Sequence, residues 1–558
     1  MSAYRVPADA RAAASLLLLR DGAAGPEVLL MRRAERDGDY RSGLCVFPGG
    51  VLDARDPEAH AWVVGDGDAA WSARLGVAEG GLDYAVAALR ECFEEVGLLL
   101  ADRPFDAVAA AAWRRRLHAG EVGIADVCAA LGVKLDLRTL SCHSHWLTPP
   151  GVPKRFDTRF FAAAAPVGQQ AEVDGNEAVE LMWLTPQAAL DPARGLKLLP
   201  VTERTLQELL PFADAASALA ASAARRDIRL TMPRSARLAD GRRTVLMPEH
   251  PAWAEAGRLD PDGRGDVFAD LVAGRAVRLS PRIVRVTAPN PGLMTGPGTN
   301  SYLVGAGDAW TVIDPGPADE RHLQALLAAA PGRIERILVT HTHRDHSPDA
   351  AALAAATGAT VVGRRPEFHD GQDTGFRPDH EPADGERLDC GGAVLRVLAT
   401  PGHASNHLCF LLEDEDLLFT GDHVMQGSTV VINPPDGDMT AYLVSLERLR
   451  AAPPAWLAPG HGFLVAEPQA VFDALIRHRL RREQRVLRAL AQRGDGDLDS
   501  LLPEVYADVP ALLHAPARRS LLAHLLKLAA DGLAASDDGL VWRYVGPGSR
   551  QAPSSSSS

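Results

Sequence analysis

The sequence has few cysteines, and none of them form a C-x-x-C pair. Its six cysteines are scattered over 558 residues, at Cys45, Cys92, Cys128, Cys142, Cys390 and Cys409. Spacing of this kind in a long chain is not typical of a secreted disulfide framework. We therefore expect free and mostly buried thiols in a reducing compartment, which makes the cytoplasm the default expectation for localisation.

Long apolar runs are also missing. The longest early run, Ala12–Leu19, is bracketed by Arg11 and Arg20 and is far too short to cross a membrane. It also lacks the context of a signal-peptide cleavage site, so we interpret it as a β-strand. The sequence therefore predicts no membrane partner.

The chain also has no excess of positive charge. The formal net charge is −14, which argues against a protein that binds nucleic acid over its whole surface, although a local basic face stays possible. With 46% hydrophobic and 23% charged residues, the composition is that of an ordinary globular protein. Single cores stop growing near roughly 250–300 residues, so the chain must contain at least two domains.

Changes in pattern along the chain divide it into several regions. Short strands and a long helix dominate the first region, a Pro/Gly/Asp/Arg-rich stretch without a period follows, and strands then alternate with Ala/Leu-rich helices. The C-terminal part predicts two helices and a hairpin at Gly532–Tyr544, as in a small winged-helix-like domain. The expected boundaries are a first domain at 1–240, a linker at 241–280, a second domain at 281–470, a third at 471–546 and a disordered tail at 547–558.

A dense polar cluster follows the predicted strand Ile334–Val339. It runs Thr340-His341-Thr342-His343-Arg344-Asp345-His346 and precedes Ser347-Pro348, a signal for an N-cap and the first residue of a helix. His341 and His343 are two residues apart in extended chain, so they point to the same side and can reach one ion. Asp345 and His346 come after the chain turns and can reach a second ion.

Three more candidate ligands occupy the same position relative to a strand. His403, Asp422 and His461 each follow an apolar run and each lies beside a glycine. Strand ends that meet at one edge of a layered α/β fold form a cleft. One of these residues alone would be interpreted as an ordinary polar loop residue, but four repeats of the same context favour a metal site. Nitrogen and carboxylate ligands suit zinc, with manganese and iron as alternatives.

This pattern resembles the metallo-β-lactamase superfamily, through its H-x-H-x-D-H motif and the later His, Asp and His. The resemblance implies an αββα sandwich in which His341, His343 and His403 hold one metal ion. Asp345, His346 and His461 would hold the other ion, and Asp422 would bridge the two. With an aspartate at the bridging position, the sequence resembles the glyoxalase II and nuclease branches of the superfamily. Further stretches resemble the β-lactamase-like protein 2 branch, namely 288–292, 298–302, 434–439 and 478–484.

Two metal ions explain the expected chemistry. Ions about 3.5–4 Å apart hold a bridging hydroxide at neutral pH and polarise the substrate oxygen. Asp345 would bind metal and orient the hydroxide as a catalytic residue. Phosphodiesters, thioesters and lactones would all suit such a centre, so the metals alone do not identify the substrate.

The clue to the substrate lies in an arginine-rich helix near residues 477–493. Arg481, Arg482 and Arg485 are the candidate substrate-binding residues, and single-stranded RNA is the partner that the family resemblance implies. The alternative is a solvated face on an acidic protein, and the two interpretations are about equally supported. Nothing in the sequence indicates the oligomeric state.

The second strong motif is an acidic helix in the first region, Arg90-Glu91-Cys92-Phe93-Glu94-Glu95. Glu91, Glu94 and Glu95 share one helix face, where three carboxylates repel one another unless a cation lies among them. Oxygen ligands suit Mg²⁺ or Mn²⁺ and, through the ion, a diphosphate. Arg90 is spaced to pair with Glu94. The alternative is a solvated acidic face.

Together with Phe47-Pro48-Gly49-Gly50, this helix resembles the Nudix box. The resemblance implies an α/β/α sandwich, a small-molecule diphosphate substrate, and Glu94 and Glu95 as catalytic metal ligands beside Glu91. Gly50 and Arg90 are 40 positions apart, about 26 more than the box pattern has. The upstream glutamate of the box is replaced by Asp56. A long insertion at this point is similar to the branch that contains coenzyme A diphosphatases.

The sequence thus predicts a multidomain α/β and α+β protein with two hydrolytic sites. The C-terminal site would carry two Zn²⁺ ions and act on RNA phosphodiesters or thioesters. The N-terminal site would carry Mg²⁺ or Mn²⁺ and cleave a nucleoside diphosphate derivative such as coenzyme A. The alternative is a thioesterase of glyoxalase II type, in which the Nudix-like half binds a nucleotide as a sensor without cleaving it.

Overall fold

The computed structural model describes residues 7–35, 42–173 and 178–546. Their elements form a mixed α/β multidomain protein, which confirms the predicted fold class. The predicted tail, 547–558, lies outside the described residues. Within the described ranges, no helix is both long enough and apolar enough to cross a bilayer. All six cysteines are buried and free, as predicted.

The N-terminal domain is built on a nine-stranded mixed sheet. The strands of this domain are β1 (Arg11–Gly22), β2 (Gly25–Arg33), β3 (Leu44–Val46), β4 (Gly49–Val51), β5 (Val63–Val64), β6 (Leu135–Asp136), β7 (Ser141–Leu147), β8 (Phe156–Ala164), β9 (Ala178–Leu184), β10 (Lys197–Leu198) and β11 (Leu230–Thr231). The main path of the sheet runs β10-β3-β2-β1-β8-β7-β11, with β4 paired to β1 and β9 paired to β2, while β5 and β6 form a separate pair.

Helices cover both faces of this sheet. The helices are α1 (Asp68–Leu75), α2 (Gly81–Val96), α3 (Ala107–His118), α4 (Ile124–Leu131), α5 (Pro186–Leu190), α6 (Pro200–Leu209) and α7 (Ala215–Ala224). Strand β1 is buried on both sides, since Leu16 and Leu18 pack in the core of α2 while Leu17 and Leu19 pack in the core of α6 and α7. Burial on both faces explains why its sequence is continuously apolar rather than alternating.

Helix α2 ends at Val96, because Gly97 adopts a left-handed conformation and its N–H bonds back to Phe93. The stretch between Asp53 and Leu82, which has no clear pattern, contains the 3-10 helix Asp56–Trp62 and helix α1.

The segment assigned to a linker, 241–280, is regularly structured. Strands β12 (Arg234–Arg237) and β13 (Arg243–Leu246) form a hairpin, helix α8 (Trp253–Leu259) follows, and β14 (Ala276–Ser280) is the first strand of the next sheet. Its small core consists mainly of alanines, with Leu246 and with Phe463 from the next domain. Elements this short, with alanine as the buried residue, leave no period in the sequence.

Two six-stranded sheets form the next domain, and each pairs strands that follow one another in the chain. The first sheet contains β14, β15 (Ile283–Thr287), β16 (Asn300–Ala306), β17 (Ala309–Ile313), β18 (Arg333–Leu338) and β19 (Thr360–Val362). The second contains β20 (Arg387–Asp389), β21 (Val394–Ala399), β22 (Leu408–Leu412), β23 (Leu417–Gly421), β24 (Trp456–Pro459) and β25 (Val465–Ala466). Its helices are α9 (Glu320–Ala329), α10 (Ala350–Thr357) and α11 (Met439–Ala451).

These elements form four layers. Side chains of both sheets, such as Tyr302 and Phe419, meet in the central core, where their rings lie 5.0 Å apart. Helices α9 and α10 cover the outer face of the first sheet, and α11 covers the outer face of the second. The result is the αββα sandwich that the family resemblance implied.

The C-terminal domain begins with the long helix α12 (Pro468–Arg493). Its first half packs on the second sheet and its second half enters a separate core, so one helix joins two domains. The other elements are α13 (Leu498–Val505), α14 (His514–Ala530), β26 (Asp495–Asp497), β27 (Ala534–Ala535) and β28 (Val541–Tyr544). The described part of this domain thus has three helices where the sequence predicted two, and the predicted hairpin is formed by β27 and β28.

One predicted helix start is wrong. Helix α10 begins at Ala350 after Asp349, not at Ser347-Pro348. The hydroxyl of Ser347 donates instead to the Asp373 carboxylate at 2.9 Å. The chain before α10 is held in turns that carry His346 inward, and the carbonyl of His346 accepts a hydrogen bond from Gly316 N. The cap signal is overridden by this tertiary contact.

Candidate functional site

The seven candidate ligands of the C-terminal half lie together at the strand ends. The H-x-H-x-D-H segment follows β18, and His403, Asp422 and His461 follow β21, β23 and β24. They form two groups whose ligand atoms all lie within 4.8 Å of one another: His341, His343 and His403, and Asp345, His346, Asp422 and His461. The polar ends of strands from both sheets thus converge on one point.

Three imidazoles make up the first group. His343 Nδ1 lies 2.9 Å from His341 Nε2 and 3.0 Å from His403 Nε2. His341 and His343 therefore do point to the same side, as the extended spacing predicts. Three ring nitrogens this close can share one ion.

The second group mixes imidazoles and carboxylates. His461 Nε2 lies 3.3 Å from Asp345 Oδ2 and 3.2 Å from Asp422 Oδ1, and His346 Nε2 lies 3.4 Å from each of these carboxylates. The other oxygen of Asp422, Oδ2, lies 3.7 Å from His403 Nε2 in the first group. Asp422 thus presents one carboxylate oxygen to each group, as a bridging ligand must.

Outer hydrogen bonds fix how the histidines face the site. His346 Nδ1 lies 2.8 Å from Asp314 Oδ2, and His403 Nδ1 lies 2.8 Å from the carbonyl of Val431. Asp314 also accepts hydrogen bonds from Thr340 N and Thr340 Oγ1, at 2.7 and 2.8 Å. Such partners hold the ring orientation and raise the basicity of a ligating imidazole.

The charges of the second group indicate a place for a cation. Burial lowers the pKa of His461, but the carboxylates of Asp422 and Asp345 outweigh it and raise that pKa to about 10. In the first group, burial and the neighbouring His403 lower the pKa of His343 to about 4. The first group is therefore set up as neutral ligands, whereas the second needs positive charge beside its carboxylates.

The residues present fit two transition-metal ions. His346 Nε2, His461 Nε2 and Asp422 Oδ1 are buried and have no hydrogen-bond partner in the described ranges. Buried polar atoms are nearly always satisfied, so a group of unpartnered donors and acceptors facing one point calls for a ligand. Imidazole and carboxylate donors without thiolate suit zinc among the common ions.

Gly460 is required by the closeness of the two sheets at the site. A Cβ at this position would lie 2.7 Å from Asp422 Oδ1 and 2.8 Å from His346 Cε1. The N–H of Gly460 donates to Gly421 O, and its carbonyl accepts from Asn300 N, so it links the sheets across the site. The Pro-Gly-His sequence therefore places His461 against the carboxylates with no side chain in the way.

The acidic helix of the N-terminal domain is organised by Arg90. Its guanidinium donates to Asp56 Oδ1 at 2.7 Å and to Glu91 Oε1 at 2.9 Å, and lies 3.5 Å from Glu94 Oε2. Arg90 therefore does approach Glu94, but its closest partner is Asp56, the residue that stands in place of the box glutamate. Burial raises the pKa of Glu94 to about 7, although Arg90 opposes this effect.

Two of the three predicted glutamates face a cleft. Glu91 and Glu95 line a cavity of about 660 Å³, and Gly49 N donates to Glu95 Oε2 at 2.8 Å. Among the described residues, compact groups of three or more potential ligands occur only in the C-terminal half. The more open arrangement here suits Mg²⁺, which keeps several waters and takes substrate phosphate oxygens as ligands.

Three family models match different parts of this chain. The family model of the metallo-beta-lactamase superfamily matches residues 294–461, that of the NUDT19 Nudix domain matches 72–197, and that of the beta-lactamase associated winged helix domain matches 498–542. A Beta-lactamase-like protein 2 homolog from Drosophila melanogaster is 31% identical over 268 residues, which cover 46% of this chain and 90% of the relative. The chain belongs to the metallo-β-lactamase superfamily. Its N-terminal half carries a Nudix domain, and the chain is a hydrolase.

Two further similarities concern the separate halves. An Atrochrysone carboxyl ACP thioesterase from Aspergillus chevalieri is 34% identical over 269 residues, covering 46% of this chain and 83% of that protein. The crystal structure of a NUDIX hydrolase from Alicyclobacillus acidocaldarius is 30% identical and has a TM-score of 0.33, covering 38% of this chain and 96% of that chain. Both halves of the predicted resemblance are confirmed by the family models.

A large cleft lies over the metal groups of the metallo-β-lactamase domain. It has a volume of about 930 Å³ and extends from His343, Asp345 and His403 to the winged-helix domain. About half of its wall is apolar, from the loop that carries Leu293 and Met294 and from Val430, Val431, Val509 and Leu513, and the rest is polar or charged. The cleft can therefore accommodate a substrate with both an apolar and a polar portion.

The arginines of α12 do not form one stripe toward this cleft. Arg479 and Arg482 are buried, and each donates to a backbone carbonyl, at Val430 and Val505 respectively. Arg482 also pairs with Asp508 at 2.8 Å, as does Arg485. Of the three predicted substrate residues in this described helix, Arg482 lines the cleft, whereas Arg481 and Arg485 do not. Arg344 and Arg519 were not predicted to bind substrate, but both line the cleft and have exposed side chains.

Asp314 is the functional residue that sequence reasoning missed in the metal centre. It directly follows strand β17 at Asp314-Pro315-Gly316, the same context that identified the seven ligands. Its φ of 52° is unusual for a residue other than glycine and holds its carboxylate against Thr340 and His346. The strand-end signal was therefore present, but not the motif spacing of the family.

Proposed function

We propose that the metallo-β-lactamase domain hydrolyses an acyl thioester at a dinuclear zinc centre. We further propose that the Nudix domain hydrolyses a nucleoside diphosphate derivative, with coenzyme A as the first candidate, using Mg²⁺ or Mn²⁺. The observation that carries the first proposal is the convergence of seven nitrogen and oxygen ligands in two groups, with Asp422 between them.

The residues around the ligands support hydrolysis at this point. When bound, two such ions lower the pKa of water and polarise the bond to be broken. Asp345 Oδ2, which accepts a hydrogen bond from Thr299 Oγ1 at 3.2 Å, is available both to hold metal and to orient a water molecule. The hydrogen bond from His403 to the carbonyl of Val431 holds its ring in place at the cleft wall.

Three observations favour a thioester over RNA as the substrate. One part of the cleft wall beside the ligands, formed by Leu293, Val431 and Leu513, is apolar and suits an acyl chain. Of the three arginines predicted to bind phosphate, Arg482 and Arg485 already pair with Asp508, which reduces the positive charge available to a phosphate. A relative that covers 46% of the chain is named a carboxyl acyl-carrier-protein thioesterase. Single-stranded RNA remains the competing substrate in the test.

The proposal for the Nudix domain is supported by its carboxylate cleft. Glu91 and Glu95 face a cavity large enough for a nucleotide, and the Arg90–Asp56 pair holds the helix that carries them. Glu94 and Glu95 are the residues we expect to bind metal and act in catalysis. If the domain were a nucleotide sensor instead, it would bind such a ligand without cleaving it.

A substrate panel on the full chain tests both proposals. Acyl-coenzyme A, acyl-glutathione and a single-stranded RNA oligonucleotide would be compared for the wild type, Asp422→Asn and Glu94→Gln. We expect thioester cleavage that is lost in Asp422→Asn and kept in Glu94→Gln. Coenzyme A diphosphate cleavage should show the opposite dependence. Faster cleavage of RNA than of any thioester would overturn the thioester proposal, and ligand binding without diphosphate cleavage would favour the sensor.

A further inference from the structure

Part of the Nudix cleft is built by residues beyond the Nudix domain. Pro233, Arg234, Ser235 and Val245 of the β12–β13 hairpin line the same cavity as Glu91 and Glu95. The last strand of the nine-stranded sheet is β11, which ends at Thr231, so this part of the wall is contributed by the segment that joins the two halves. Arg234 brings a positive charge to a cleft whose helix contributes carboxylates.

The side chain of Arg234 is held in place by helix α8. Its guanidinium lies over the ring of Trp253, 4.5 Å from the ring centroid. It also lies flat against Gly257, where an added Cβ would fall 2.3 Å from Arg234 Cζ and 2.4 Å from Nη2. Glycine in the middle of a helix is unfavourable, and here it opens the space that the guanidinium occupies.

Helix α8 is itself anchored to the metallo-β-lactamase domain. Glu255 forms a bidentate, buried pair with Arg285, at 2.6 and 2.8 Å, and accepts a hydrogen bond from Leu464 N. Trp253 Nε1, in the same turn of the helix, donates to Met232 O at 2.7 Å, which ties the helix to the residues just before the hairpin. The position of Arg234 in the Nudix cleft is therefore determined by contacts that include both domains.

A cation fixed in this way suits a phosphate. Arginine presents several donors in a rigid fork that matches phosphate oxygens, and holding it in advance reduces the entropy lost on binding. Of the other basic residues of the wall, Arg11 and Lys154 are exposed, whereas Arg33 is half-buried like Arg234. We infer that Arg234 is a substrate-binding residue of the Nudix cleft that contacts a phosphate of the nucleotide substrate. This inference rests on the proposed diphosphatase function.

The test uses the full chain with coenzyme A and dephospho-coenzyme A as probes. In Arg234→Gln we expect the KM to rise roughly 10- to 100-fold, the usual cost of a lost hydrogen bond to a charged group, while kcat stays within about twofold. Arg234→Lys should recover part of the loss, because the charge remains without the fork. If Arg234 contacts the diphosphate, the KM rises for both probes. If it contacts the phosphate that coenzyme A has and dephospho-coenzyme A lacks, the KM rises for coenzyme A alone.

Two further variants separate binding from a structural role. Gly257→Ala should displace the guanidinium and raise the same KM, whereas Arg242→Gln, at the exposed tip of the same hairpin, should leave it unchanged. Metal content and thioester hydrolysis of the C-terminal half serve as a check that each variant is folded. An unchanged KM for both probes in Arg234→Gln would overturn the inference.

If the diphosphatase proposal is wrong, the wild type cleaves neither probe. The role of Arg234 is then tested by calorimetric binding of ADP in the presence of Mg²⁺ instead of by kinetics. Weaker binding by Arg234→Gln than by the wild type would still support the role of Arg234. Equal affinities, or no binding by either protein, would overturn it.

Discussion

The guanidinium of Arg90 lies 2.7 Å from the carboxylate of Asp56, and both side chains are buried. Arg90 begins the Nudix helix motif, and Asp56 occupies the position where the motif has glutamate. Burial disfavours the charge of Arg90, but the carboxylates of Asp56 and Glu91 outweigh it and raise the pKa of the guanidinium. An acid shorter than the glutamate of the box thus forms the closest ion pair of Arg90.

Removal of Asp56 should destabilise the Nudix domain. Asp56→Ala leaves the charge of Arg90 buried without its main partner, which costs about 3–5 kcal/mol of unfolding free energy. The measurement is the urea concentration at which the domain unfolds. Asp66→Ala is the matched control, because Asp66 pairs with Arg74 on the surface, and it should change stability by less than about 1 kcal/mol. Equal effects of the two substitutions would contradict a buried ion pair.

The purified protein should contain about two transition-metal ions per chain. In the double substitution His341→Ala, His343→Ala the first group loses two of its three ligands, so the metal content should fall to about one. His369→Ala changes an exposed histidine outside both groups and should have no effect. Elemental analysis gives the ratio, and a metal-free wild type that does not take up zinc would refute the assignment of the site.

Asp314→Asn tests the outer hydrogen bonds of the centre. An amide has one acceptor oxygen where the carboxylate has two. It therefore cannot accept the hydrogen bonds from Thr340 and also accept one from a protonated Nδ1 of His346. We expect metal affinity to fall roughly 10- to 100-fold, as is usual when a second-layer carboxylate is removed. Competition with a chelator measures the affinity. Asp308→Asn is the control, and a chelator profile like that of the wild type would show that Asp314 does not support the ligand.

Arg518 and Arg519 form a matched pair for testing the cleft. Arg519 lines the cleft over the metal groups, whereas its neighbour Arg518 pairs with Asp499 on the surface at 2.7 Å. If the substrate carries an anionic group, Arg519→Gln should raise its KM about tenfold. Arg518→Gln should leave the KM unchanged. A rise of the same size in both variants would indicate general attraction by the surface rather than a contact in the cleft.

The buried His322 should contribute to acid sensitivity. Burial lowers its pKa to about 4 from an ordinary value of 6.5, so the folded state favours the neutral ring. Its contribution to stability is therefore complete above pH 6.5 and is lost as the pH falls through about 4, with a maximum of roughly 3 kcal/mol. Urea unfolding at pH 7 and pH 4.5 should show a smaller loss for His322→Gln than for the wild type. An exposed control, His369→Gln, should behave like the wild type.

The strands and the ligands they carry could be predicted from local sequence. Each candidate ligand directly follows a short apolar run, and the run ends where backbone hydrogen bonding in the sheet ends. The continuous apolar run in β1 likewise indicated a strand. Such features depend on residues within a few positions of one another, which is the range over which periodicity carries information.

Tertiary contacts overrode the local signals elsewhere. Ser347 has the sequence context of a helix cap but bonds to Asp373, 26 positions later. The segment 241–280 has no period because its core is shared with both neighbours and is filled mainly by alanine. Neither result follows from local propensity, since the stabilising partners are distant in the chain.

The sequence by itself determined which residues end the strands of the metallo-β-lactamase domain and which glutamates share one face of the Nudix helix. Only the tertiary structure decided what those surfaces meet. Periodicity shows that Arg479 and Arg482 share a helix face, but their partners, Val430 and Asp508, come from other elements. In the same way, only the packing of α8 between two domains brings Arg234 into the Nudix cleft. The physical reason is that charge pairing and burial depend on distances in space, which local sequence does not encode.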